Sequence, residues 1–403
     1  MSRNGRAISV SCLHPIRRSP SGFDGWRLLE PRQIIDNKQD PRVARPPSKE
    51  SGGGSNVVLC GDQSDESRLL YIFGLGPVTI SAEIEQCRFS VPTIGRSVLW
   101  EVTRFCNLEC KHCCTYSGPK ISTANDVATE RMVAVAEELA DADVYDVLFS
   151  GGEPFLRSDF VRILRSIDPD RILVYVASNG TAIEERTVEA LREARVAGVD
   201  ISIDGHTAHL HQLLRLHPTS FQRGIRGIEA CVRGKIPLRV TSCVIPETAA
   251  HVYDMAELLV GLGVKTLVIQ TILPSGGRAV EHPYLAVRPS EIPAMDEQIE
   301  RAKARWGDQI SIELRSGASS GAASGCPAGG QLLNISANGD VSTCSWLYKI
   351  SPGHFTLGNI KSQSLKDCLA GIDQMMRPWT ERTAGCPIPE VLHAIKPAKT
   401  VPA

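Results

Sequence analysis

Three cysteines stand at C-x3-C-x2-C spacing in Cys106-Asn107-Leu108-Glu109-Cys110-Lys111-His112-Cys113. Three thiolates on one short loop can hold three irons of a four-iron, four-sulfur cluster and leave the fourth iron open to a non-protein ligand. Two other readings use the same residues. A zinc site would close on a further Cys or His, and His112 and Cys114 stand nearby. Buried free thiols would do no chemistry, since free Cys is among the most buried residue types. Three at this spacing in one loop favour the cluster.

A second set lies far along the chain, at Cys326, Cys344 and Cys386. Asn338-Gly339, between Leu332–Ile335 and Val341, reads as a β-hairpin turn. That hairpin would bring Cys326 and Cys344 together near its open end. A helix around Ser364–Leu369 leads on to Cys386, and a zinc hairpin with three Cys and a His is the competing reading.

The elements that must position these residues follow a repeating pattern. Strand-like runs cover 97–102, 144–150, 172–177, 199–204, 238–244 and 265–269. Between them, helical spacing marks 126–140 (Met132, Val135, Ala136, Leu139) and the segments around Val188, Phe221 and Met255. Such units predict a parallel sheet with helices outside. Six strands are too few for a closed eight-stranded barrel, so a partial barrel is expected, with its site at the C-terminal strand ends. Gly151-Gly152-Glu153-Pro154 falls at such an end. Its glycines permit close backbone approach, and Glu153 can accept from an ammonium group. An ordinary strand-to-helix turn would look the same.

The cysteine loop resembles the radical S-adenosylmethionine (SAM) superfamily, whose signature is C-x3-C-x-aromatic-C, with His112 in the aromatic slot. The resemblance implies a partial (β/α)6 barrel, and a 4Fe-4S cluster on Cys106, Cys110 and Cys113 whose open iron chelates SAM. It implies that an electron, from a donor such as flavodoxin or ferredoxin, cleaves the C–S bond of SAM. The 5′-deoxyadenosyl radical so formed would take hydrogen from an unactivated C–H bond. By the same resemblance Gly151, Gly152 and Glu153 hold the methionyl amino group, and Asn179 and Ser202 line the nucleotide face. Arg215, at the interval before Phe221 usual in such enzymes, would contact the SAM carboxylate. Asn179-Gly180 and Asp204-Gly205 also read as plain turns, and Ser202 as a polar strand end.

The second set resembles the auxiliary-cluster extension of these enzymes, in its full SPASM or shortened twitch form. The match is C-x12-G-x4-C (Cys326, Gly339, Cys344), then Leu357-Gly358-Asn359-Ile360 and a short helix. With Cys386 the sole late cysteine, one auxiliary 4Fe-4S cluster is implied rather than two. Pro389 stands where the shortened form has its last cysteine, leaving the fourth ligand to Cys368, Glu390, His393 or substrate. The expected organisation is an extension at 1–92, poorly ordered to about residue 65, a barrel core at 93–290 and a hairpin-plus-helix cluster region at 291–403. Leu69–Phe73 and Val78–Ser81 read as strands leading into the core.

A net charge of -1 and no basic block predict neither nucleic acid nor an anionic membrane as partner. Thirteen cysteines, partly clustered, suggest metal binding in a reducing compartment. No apolar run approaches a membrane span, and Met1–Arg6 opens onto no long apolar segment, so a cytoplasmic protein without signal peptide is expected. The compact layout points to a sugar or aminocyclitol substrate whose alcohol carbon is oxidised or epimerised. Modification of a ribosomally made peptide is the alternative, and a non-catalytic iron–sulfur or zinc protein a further one. Cys243, on the fifth strand and outside both metal sets, is a candidate hydrogen donor for an epimerase, or else a core thiol.

Overall fold

The computed structural model describes residues 67–72 and 76–81 through their backbone, then residues 95–315, 328, 331–380 and 388. Expectations for residues 1–65, and for Cys326, Cys386, Pro389, Glu390 and His393, lie outside the described residues.

Two strands, β1 (Ser67–Ile72) and β2 (Gly76–Ser81), pair antiparallel with each other. They form a sheet of their own rather than strands entering the core. The strand periodicity was legible, but it carries no statement of which strand is the partner.

The core opens with β3 (Arg96–Thr103), α1 (Thr129–Asp141), β4 (Val144–Gly151), α2 (Phe160–Arg165), β5 (Leu173–Ser178), α3 (Glu185–Glu193) and β6 (Gly198–Ser202). It continues with α4 (Ala208–Arg215), α5 (Ser220–Arg233), β7 (Leu238–Val244), α6 (Val252–Gly261), β8 (Thr266–Thr271), α7 (Ile292–Trp306) and β9 (Ser311–Arg315). The C-terminal part adds β10 (Leu332–Ile335), β11 (Asp340–Ser342), α8 (Ser345–Ile350), α9 (Pro352–Phe355), β12 (Thr356–Asn359), α10 (Leu365–Leu369) and α11 (Ile372–Thr380). Strand order is β12-β11-β10-β3-β4-β5-β6-β7-β8-β9 in one ten-stranded sheet. From β10 through to β9 every neighbour is parallel. The six expected strands are β3 to β8, and the open barrel is extended at both edges. At one edge β9 pairs with β8; at the other the C-terminal hairpin lays β10 along β3, Leu332 opposite Ser97.

Period-two alternation builds the two faces. Val98, Trp100 and Val102 of β3 pack outward with Val147 and Phe149 of β4 under the helices. There Trp100, Phe149 and Phe160 stack at centroid distances of 5.5 and 5.4 Å. Helix α1 presents Met132, Val135, Ala136 and Leu139 to this layer, each large side chain contributing about 1.5–3 kcal/mol. The alternate residues face the other way and include polar and charged groups, among them Glu101, Asp146 and Asp200. Arg239 pairs with Asp200 at 2.7 Å, Thr241 donates to Asp200 at 2.7 Å, and Arg315 pairs with Glu313. Among the described residues no helix is long and apolar enough to cross a membrane.

Candidate active site

The loop after β3 returns on itself, with Phe105 bridged to Gly118 and the Cys106 N–H donating to the Gly118 carbonyl at 3.3 Å. Cys106 and Cys110 are buried and Cys113 partly so, packed together around Leu108. Each sulfur is met by a donor. Cys106 Sγ accepts from the Leu108 N–H at 3.4 Å and from Asn179 Nδ2 at 3.7 Å; Cys110 Sγ accepts from Arg215 at 3.8 Å; Cys113 Sγ accepts from the Ser117 N–H at 3.3 Å. Burial pushes the Cys106 thiol up to about 12 and the Cys110 thiol up to about 11. Such thiols become thiolates when a metal takes the place of the proton.

Among the described residues two sets of three potential ligand atoms lie within 4.8 Å of one another, and the cysteine triplet is neither. A single tetrahedral ion needs its ligands that close, so the spread and the sulfur-directed donors fit a larger iron–sulfur cluster. His112 does not close a zinc site with the triplet; its ring sits with Asp204 and Cys243 instead.

Several side chains fix this loop. Asn179 Nδ2 donates to Asn107 Oδ1 at 2.9 Å, and Asn107 in turn donates to Thr181 at 2.8 Å. The close approach made by Gly151 and Gly152 is to the chain itself: a Cβ on Gly152 would lie 2.0 Å from the Phe105 carbonyl oxygen, and Gly151 has φ +121°. The end of β4 is thereby pressed against the cysteine loop. Arg278, which the sequence did not single out, donates to the carbonyls of Cys110 at 2.8 Å and Ser117 at 2.7 Å.

Glu153 is fully buried beside this junction. Its carboxylate accepts from Ser178 Oγ at 2.8 Å, the Asn179 N–H at 2.8 Å and the Phe155 N–H at 3.3 Å. Burial raises it to about 7 despite those donors. Arg215 ends α4 and forms a buried ion pair with Asp204 at 2.5 Å. Burial alone would raise the Asp204 carboxyl, but the Arg215 guanidinium together with His112 and His211 holds it down to about 2. Asp204 also accepts from the Cys243 N–H at 3.0 Å, and its own N–H donates to His211 at 3.1 Å. The structure therefore gathers Cys106, Cys110, Cys113, Asn179, Arg215, Asp204 and Cys243 at one end of the sheet. Ser202, half-buried at the end of β6 opposite Thr241, lies two residues before Asp204.

From the C-terminal part, Lys349 on α8 reaches Glu101 of β3 at 3.0 Å and Cys114 Sγ at 3.6 Å. Cys344, at the start of α8, packs with Trp346, Leu347 and Met376. Cys368 belongs to the main core with Leu365 and Ile372, a different apolar cluster. That location gives Cys368 a packing role and counts against it as a ligand beside Cys344. Arg278, Lys349 and Glu101 carry no local sequence signal. Asp204 was visible only as a turn residue.

Comparison with known proteins agrees with this geometry. Residues 100–259 match the family model described as the radical SAM superfamily, and residues 326–382 match an iron–sulfur cluster-binding domain, SPASM. The chain is 29% identical over 184 residues to an AdoMet-dependent heme synthase of Oleidesulfovibrio alaskensis, 46% of this chain and 47% of that protein. It thus spans about half the length of the heme synthases it matches. It is 26% identical over 283 residues to the mycofactocin maturase MftC of Mycobacterium ulcerans, 69% of this chain and 73% of that protein. In fold it is similar to Streptococcus suis SuiB solved with the precursor peptide SuiA, at TM-score 0.57 and 14% identity, covering 72% of this chain and 67% of that one.

Proposed function

Because the chain belongs to the radical SAM superfamily and carries a SPASM iron–sulfur region, we propose that it abstracts hydrogen from a C–H bond of a ribosomally made peptide. The observation that carries this reading is the extent of the likeness to MftC, 283 residues against 184 for the heme synthase. That reach exceeds residues 100–259 alone. SuiB, of the same fold, was solved with its precursor peptide.

When bound, the 4Fe-4S cluster and SAM supply a 5′-deoxyadenosyl radical. Cys106, Cys110 and Cys113 would hold that cluster, and the donors on their sulfurs would tune its potential. Glu153 keeps acceptor capacity beyond that used by its three donors, and this would accept from the methionyl ammonium. Arg215, aimed by Asp204, offers its remaining N–H groups to the carboxylate. Gly151 and Gly152 hold the β4 end against the loop, Asn179 fixes the cysteine loop through Asn107 and Cys106, and Ser202, with the Asn179 backbone, would line the nucleotide side. Cys344 would be a ligand of an auxiliary cluster, with Cys326 and Cys386, outside the described residues, as its expected companions. Cys243 places a thiol near His112 and Asp204; burial keeps it protonated, as a hydrogen donor must be.

A second reading, oxidation or epimerisation of an alcohol carbon of a sugar or aminocyclitol, is favoured by the polar inner face at Asp200, Arg239 and Thr241. Both are tested by anaerobic reconstitution with iron, sulfide, SAM and a reductant, offering deuterated precursor peptides and deuterated aminocyclitols in parallel. Deuterium passing from peptide into 5′-deoxyadenosine supports the peptide reading. Transfer from the cyclitol alone replaces it with the second, and absence of 5′-deoxyadenosine from the wild-type chain sinks catalysis altogether. If the product is an epimer, Cys243→Ala should abolish inversion while 5′-deoxyadenosine still forms; unchanged stereochemistry removes Cys243 from the chemistry.

A further inference from the structure

His206, His251 and Asp254 meet where the loop after β6 approaches the start of α6. One ligand atom from each lies within 4.8 Å of the others. His251 Nδ1 and Asp254 Oδ2 are 2.9 Å apart, and His206 Nε2 is 3.9 Å from the same oxygen. The two imidazole centroids are 5.1 Å apart.

The separation at His206 is too long for a hydrogen bond. Its other nitrogen, Nδ1, is buried with no partner among the described residues. Buried ring nitrogens usually have a partner; His206 has one nitrogen unsatisfied while its Nε2 faces the Asp254 carboxylate, with the His251 ring alongside. Imidazole nitrogens are common metal ligands.

We propose that His206, His251 and Asp254 form a binding site for a zinc-type divalent ion. Two imidazoles and a carboxylate are a zinc donor set with a fourth position left for water. Bonds of about 2.1 Å in a tetrahedron place ligand atoms about 3.4 Å apart. The separations present, 2.9 and 3.9 Å, straddle that value, so small side-chain rotations suffice. All three residues keep partial exposure, which leaves an ion a way in. The site would tie the Asp204–His206 turn, which carries the partner of Arg215, to α6.

The test uses the full chain with its iron–sulfur clusters reconstituted, equilibrated by dialysis against Zn2+. Zinc per chain is then measured in wild type, His206→Ala and Asp254→Asn. The expected result is one zinc equivalent in wild type that both variants lose. Equal zinc in all three overturns the assignment. Zinc-edge X-ray absorption on the wild type gives an independent reading, free of any question about variant folding. A shell of nitrogen and oxygen with imidazole scattering supports the site. A sulfur shell locates the ion among the cysteines and overturns it.

Discussion

Arg278 donates to two carbonyls of the cysteine loop, its own N–H donates to the Cys113 carbonyl at 2.8 Å, and its guanidinium lies 4.9 Å from the Tyr116 ring. It touches no cysteine sulfur, so its part is to hold the loop at the spread the cluster needs. Removing it takes the donor from the Ser117 carbonyl, at on the order of 1–3 kcal/mol when buried, and leaves the Cys110 carbonyl with the Cys113 N–H at 3.2 Å. Arg278→Ala is therefore expected to lose iron and sulfide, measured per chain before any SAM is added. Arg278→Lys should recover only part, because one ammonium does not reproduce a planar fork. Full iron in the Ala variant would show that the loop holds itself. The cysteines were legible because ligand spacing within one loop is local. Arg278 was not, because its acceptors lie 168 and 161 residues away and Gly276-Gly277-Arg278 reads as a turn. Asp204 was hidden in the same way: its partner Arg215 was foreseen as a ligand contact, and the carboxylate that aims it was not.

Between elements, β3 and β4 share a buried carboxyl. Asp146 accepts a hydrogen bond from Ser97 Oγ, and its Oδ2 has no partner among the described residues. Burial raises it to about 7, with Ser97 and Arg239 opposing. A carboxyl raised on folding favours the folded state below its unfolded value, near 4, and that advantage is lost as pH rises through 7. About three units correspond to roughly 4 kcal/mol. Asp146→Asn should therefore raise the melting temperature at pH 8 and change it little at pH 4. An equal effect at both pH values would place the cause in packing rather than ionisation. Asp204, held at about 2, has the opposite sign: its contribution is present above about pH 4 and falls away toward pH 2. The strands carrying these groups were legible to within a residue or two because alternation is written along each strand. Their pairing across long stretches was not. Nothing in Leu332–Ile335 specifies β3 as its parallel neighbour, whereas the short Gly-containing link between β1 and β2 is itself a hairpin signal.

At the scale of the molecule, the C-terminal part is a component of the barrel wall. It supplies β10 to the edge of β3 and Lys349 to the carboxylate of Glu101, a pair whose side chains are 10% and 5% exposed. Burial alone would lower the Lys349 ammonium, but Cys114 and Glu101 outweigh it and keep the amine charged. A chain ending at residue 315 would bare the β3 edge, a template for aggregation, and leave Glu101 without its counter-charge. Breaking a buried pair by removing one partner costs about 3–5 kcal/mol, a large share of a total stability of about 5–15 kcal/mol. Lys349→Met isolates the charge effect because it leaves the strand pairing in place. It should unfold at lower denaturant by that amount, and Glu101→Gln should do likewise. The double variant, with neither charge left uncompensated, should recover most of the loss, giving a coupling energy in a double-mutant cycle. Strict additivity of the two single losses would mean that Lys349 and Glu101 act separately. The bond between barrel wall and cluster region would then rest on β10 pairing and on Val341, Ile360 and Leu365, which belong to the main apolar core.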